Sequence, residues 1–170
     1  MMDFLSWLEH LRFSEWVLQS DSVWAYPSIL TAHTIGMMIV AGIAGVINLR
    51  LAGVASNLPV RPLERLFPVA WIGFWINATT GTVLLMADAT TRLTNPDFYV
   101  KMVFVFCGVA LLVIMRRKIF RNPKLDEVPL PSSAKIMAWL SLACWTGAIT
   151  SGRLLAYVGP VSGVPGLNNN

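Results

Sequence analysis

Residues 33–50, HTIGMMIVAGIAGVINLR, decide the fold. With Ser28 to Ala32 ahead of them they make an apolar run from about Ser28 to Leu49. At 1.5 Å per residue, that is enough helix to cross a hydrocarbon core of roughly 30 Å. The only ionisable groups in the run are His33, early in it, and Arg50, at its far end. Three further stretches have the same character, at 66–87, 98–115 and 136–158. Pro27 and Pro68 suit helix first turns, Asn95-Pro96 marks a turn, and Pro123, Pro129 and Pro131 interrupt the third connection.

The whole chain agrees with this reading. Of its 170 residues 55% are hydrophobic and 13% charged, and the mean hydropathy is +0.61. A soluble domain carries about 25% charged residues, so most soluble enzymes are excluded. The expected fold is all-α, an integral membrane four-helix bundle over residues 23–158, preceded by an interfacial amphipathic segment at 1–22 and followed by a flexible tail at 159–170. In the N-terminal segment Phe4, Leu8 and Leu11 recur at helical spacing, with Trp7 and Trp16 as interface anchors. Asp3 and Glu9 stand where a cleavable signal would be basic, so that segment is not expected to be removed.

The net charge of +4 does not point to nucleic acid once its location is considered. Six of the 13 basic residues fall between Arg116 and Lys135, in one connection. Counting span ends, nine Lys and Arg lie with the first and third connections and four (Arg12, Arg92, Lys101, Arg153) on the opposite side. The positive-inside rule then puts both termini outside the cytoplasm, in the periplasm if this is a bacterial inner-membrane protein. Cys107 and Cys144 sit in apolar runs with no disulfide or zinc spacing.

Ionisable groups in a span are functional hypotheses and face the bundle interior. His33 lies about 9 Å along the helix from Pro27, Lys101 opens the third span and Arg153 precedes the end of the fourth. In an antiparallel bundle the three share a depth, with Met86 and Asp88 beside them, and call for an anion, a cofactor or a watery pocket. His33 shares a face with Gly36, Met37 and Val40. Gly36 leaves room for a flat macrocycle, His33 is a candidate axial ligand for haem b, and Lys101, Arg153 or Arg92 are candidates for the propionates. Bland readings stand beside these: Lys101 snorkels to headgroups, Arg153 pairs with Asp88 or Asp97, and His33 joins two helices. Gly42, Gly45 and the stripe Ala143, Gly147, Ser151 read as close helix contacts. His33 and Met37 with Met86 and Met102 form a soft set suited to copper. Asn48, Asn77, Thr79, Thr80, Thr82 and Thr150 would serve a polar path for translocation.

The stretch HTIGMMIVAGIAGVINLRLAG also resembles the first span of a bacterial superfamily of small membrane bundles that includes the membrane protoporphyrinogen oxidase and the copper-resistance D proteins. His33 and Arg50 match its early histidine and inner arginine. NPDFYVKMVFVF is similar to the segment in which the oxidase family opens a span with lysine, here Lys101, and ATTGTVLLM resembles its glycine-containing second span. GRLLAY is closest to an uncharacterised four-helix branch. The resemblance implies a b-type haem or another redox centre engaged by His33, with Lys101 in the same pocket. It departs in one respect: the third span lacks the further histidine common in the oxidase. A second histidine ligand would have to be His10 or come from another subunit. The resulting expectation is a haem-binding, redox-associated subunit, with quinone, other membrane subunits or a second copy as partners. A cofactor-free structural or assembly subunit and a copper-handling protein are the alternatives.

Overall fold

A computed structural model describes residues 24–54, 56–122, 125–127 and 129–157. The expected N-terminal amphipathic segment, with His10, and the expected tail lie outside these residues. The described residues are helical, with no strand among them. Helix α1 spans Ala25–Ala52, with Pro27 in its first turn. It stops at Gly53, whose φ of 107° is open to glycine at little cost, and Val54 N donates to Leu49 O at 3.0 Å across the cap. A 3₁₀ segment, Arg61–Leu66, runs into α2, Phe67–Ala87. Asp88 breaks the helix, and the short α3, Ala89–Leu93, leads to α4, Pro96–Met115. Asn95 caps α4 by accepting from Asp97 N at 2.9 Å, and Pro96 opens its first turn. A π turn, Arg116–Phe120, extends α4, and α5 covers Ser132–Tyr157.

Among the described residues three helices are long and apolar enough to cross a membrane: α1, α2 with its 3₁₀ lead, and α4 with its π turn. Helix α5 is as long, at 26 residues, but six Ser and Thr, with Lys135 and Arg153, dilute its apolar character. The outer surface suits lipid rather than water. Met38 and Phe106 are each 67% exposed, and Ile72, Trp75, Val103, Ile136 and Trp139 also face outward. A water-soluble monomer does not present such a continuous apolar exterior.

Helix α1 packs against α2 and α5, and α4 packs against α5, whereas α2 and α4 do not close on one another. The dense core lies toward the end where the 53–66 and 121–131 connections emerge, here termed the loop end. Ile47, Leu51, Phe67 and Met115 are buried there, and the Phe67 and Phe120 rings meet edge-on at 5.0 Å. The π turn makes consecutive Ile119 and Phe120 both face inward and leaves Arg116, Arg117 and Lys118 outside. Asp126 ties the two connections together, its carboxylate accepting from Val60 N at 2.6 Å and more weakly from Arg61 N. Arg50 donates to the carbonyls of Leu58 and Ser56, so it holds the first connection. Within this core Asn48 donates to Ser141 Oγ at 2.8 Å, while Asn48 Oδ1 has no hydrogen-bond partner.

Glycines set the helix spacing, but only some of those expected from sequence take part. A Cβ on Gly36 would lie 2.7 Å from Asn77 N and 2.8 Å from Gly73 O, so α1 and α2 touch backbone to backbone. Gly42 and Gly45 have open space where a Cβ would go, which overturns their reading as close contacts. On α5 the expected stripe is only partly used: Gly147 takes the Phe104 ring and Ser151 is buried, but Ala143 is exposed.

Candidate polar site at the terminal end

The opposite end of the helices, where α1 begins and α5 finishes, holds His33, Asp88, Arg92, Lys101 and Arg153. His33 stands two turns into α1 and reaches across to α2, which answers with Gly73, Asn77 and Gly81, spaced by four on one face. A Cβ on Gly81 would come 2.9 Å from His33 Cε1, so its absence makes the seat for the imidazole. His33 Nδ1 lies 3.0 Å from Asn77 O and 3.2 Å from Thr80 Oγ1. The carbonyl only accepts, and the Thr80 hydroxyl donates its own proton to Ile76 O at 2.6 Å. With the hydroxyl so placed, Asn77 O and Thr80 Oγ1 both offer Nδ1 an acceptor. These two contacts favour the tautomer with the proton on Nδ1 and the lone pair on Nε2. In return Asn77 Nδ2 donates to His33 O at 2.9 Å. The same amide nitrogen is 3.3 and 3.4 Å from the two ring nitrogens.

Two cations complete the site. Lys101 on α4 runs its stem along Gly152 of α5, where a Cβ would lie 3.5 Å from Lys101 Cε. Arg92 comes from α3, the short helix that joins α2 to α4 at this end. Arg92 Nε is 3.4 Å from Asp88 Oδ2, yet it is buried and makes no hydrogen bond. A buried guanidinium nitrogen left in that state is costly and suits a better-placed anionic acceptor. Arg153 is exposed on α5, and Asp88 lies beside Arg92. Met37 is half-buried one turn along from His33, as are Met86 and Met102 on their own helices.

Sequence reasoning singled out His33, Lys101 and Arg153 as an inward-facing group, of which Arg153 is exposed, and gave Arg92 only as one of three choices for carboxylates. It placed Asn77 and Thr80 on a polar path and did not connect them to His33. The Gly73, Asn77, Gly81 stripe was the available signal, because a polar residue flanked by glycines one turn either way marks a close approach. The hydroxyls of that proposed path bond within their own helices: Thr80 to Ile76 O, Thr82 to Ala78 O and Thr150 to Thr146 O. Comparison with family models, with curated proteins and with solved structures found no match.

Proposed function

We propose that this chain is a four-span membrane protein of the bacterial inner membrane, with its termini on the periplasmic side, and that it holds a b-type haem at the terminal end. The tautomer of His33 carries the reading. An imidazole whose Nδ1–H is given to a backbone carbonyl has its Nε2 lone pair oriented and undiluted, the arrangement usual for metal-ligating histidines. Lys101 and Arg92 supply positive charge for two carboxylates, and Arg92 has a buried Nε that lacks a hydrogen bond. Among the basic residues named from sequence, Arg92 fits the propionate role better than the exposed Arg153. When bound, haem would provide a one-electron centre. The protein's share is to fix the ligand, neutralise the carboxylates and exclude water. The resemblance of residues 33–53 to the superfamily of the membrane protoporphyrinogen oxidase points the same way. Electrons would pass between the site and a quinone, another membrane subunit or a periplasmic partner.

The macrocycle cannot lie between α1 and α2 near Gly36, where the backbones touch. Protein expressed with ample haem precursor and purified in mild detergent is expected to show a Soret band that His33→Ala removes. A colourless wild-type protein would overturn the proposal.

A second reading has its own observation. The exchange of hydrogen bonds between His33 and Asn77 satisfies both residues and by itself accounts for a histidine in a span, as helix adhesive in a cofactor-free subunit. It predicts that His33→Ala lowers stability and leaves a spectrum that never had a haem band. Copper handling through His33 and Met37 would instead appear as copper in a metal analysis, lost with Met37→Leu.

A further inference from the structure

At the loop end, far from His33, a cleft of about 530 Å³ opens between the start of α2 and the end of α4. Its two walls are unlike. Toward the middle of the helices it is lined by Trp71, Leu112 and Val113, and at its mouth stand Arg116, Arg117 and Arg121 with one carboxylate, Glu64. Three guanidinium groups against one carboxylate leave a charge of +2 at the mouth. Arg116 is held over the face of Phe67, its Cζ 5.6 Å from the ring centroid. No carboxylate among the described residues is within ion-pair distance of Arg117 or Arg121, and both are exposed.

These arginines are placed by the chain's own geometry. The π turn buries Ile119 and Phe120 and leaves Arg116 and Arg117 outside, and Arg121 follows at its C-terminal cap, so the three arginines line one mouth. Because α2 and α4 do not pack together, the cleft also opens sideways along the apolar surface of both helices. Trp71 sits at the level where indoles favour the boundary between headgroups and acyl chains. A charged mouth above an apolar floor, open laterally to the bilayer, has the pattern of an amphiphile.

We infer that this cleft binds the phosphate of an anionic phospholipid from the leaflet at the loop end, with Arg117 and Arg121 on the phosphate oxygens and the acyl chain against Trp71, Leu112 and Val113. Guanidinium groups bind phosphodiester oxygens in bidentate fashion, and basic pockets between membrane helices on the cytoplasmic side are where such headgroups are held. The site is independent of haem, so either assignment can fail while the other stands.

The test uses the full chain in nanodiscs of phosphatidylcholine doped with brominated phosphatidylglycerol or, separately, brominated phosphatidylcholine. Bromine quenches nearby tryptophan, and a Trp71→Phe variant isolates the Trp71 signal by difference. Brominated phosphatidylglycerol is expected to quench Trp71 more strongly than brominated phosphatidylcholine at equal mole fraction. That preference should fall about fivefold for each of Arg117→Gln and Arg121→Gln, the effect of one cation at an anionic headgroup. Lys118→Gln removes a neighbouring exposed charge outside the cleft and is expected to leave the preference intact. Equal quenching by the two lipids, or equal loss on Lys118→Gln, would overturn the site. Millimolar inorganic phosphate at constant ionic strength is expected not to displace the lipid. If it does, the cleft takes free phosphate and the lipid assignment is wrong.

Discussion

The two ends of the molecule are built by different rules. At the loop end large side chains interlock: Phe67 meets Phe120, Ile47, Leu51 and Met115 are sealed, and Asp126 stitches the connections together. At the terminal end the contact between α1 and α2 is made by glycines and by a histidine and asparagine exchanging hydrogen bonds, with two cations near them. Water does not drive helices together within a bilayer, so contact there comes from packing and polar bonds. The loop end uses bulk, and the terminal end uses close backbone approach. A half held by small residues and partly buried polar groups retains room for chemistry that a sealed core lacks.

Substitutions separate the two mechanisms, and the largest effect belongs to the loop end. Phe67→Ala removes a buried ring together with its contacts to Phe120 and Arg116, and is expected to cost about 3–5 kcal/mol. Reversible unfolding in mixed micelles measures this. A cost below that of Gly36→Ala would reverse the ranking of the two ends. Gly36→Ala comes next, at about 1–3 kcal/mol, because the new methyl meets backbone atoms that cannot move aside. Gly42→Ala, with open space around it, is the matched control and should be neutral or slightly stabilising. If the two glycine variants behave alike, the contact between α1 and α2 is not where the distances put it.

The smallest effect is the bond between Asn48 and Ser141, a buried polar pair inside the loop-end core. A double-mutant cycle with Asn48→Ala and Ser141→Ala is expected to give a coupling of about 0.6 kcal/mol, typical of hydrogen bonds between membrane helices. A coupling several times larger would mean that helix-to-helix contact at the loop end depends on a polar bond, as it does between α1 and α2, and the contrast between the halves would disappear.

The helices were easy to read from sequence and their partners were not. Runs at 28–49, 66–87, 98–115 and 136–158 foreshadow α1, α2, α4 and α5 to within a few residues, because apolar length and proline punctuation are local properties. The π turn was not legible, since nothing in RRKIF separates it from another turn of α-helix. Which glycine lies at a helix contact was also hidden. Gly36 and Gly42 share the same kind of neighbourhood in the chain, and only the rotation of α1 against α2 tells them apart. His33 stood out by its cost in a span. Its seat on Asn77, Thr80 and Gly81 depends on the register between two helices, which span boundaries good to a few residues cannot fix.

The contrast between the ends rests finally on His33, and titration of haem into the purified, haem-free protein tests it most directly. The Soret absorbance is predicted to saturate at about one haem per chain, to be lost in His33→Ala and to be kept in Asn48→Ala, which alters the opposite end. Saturable binding that survives His33→Ala, or no saturable binding by the wild type, would contradict a haem site built on His33.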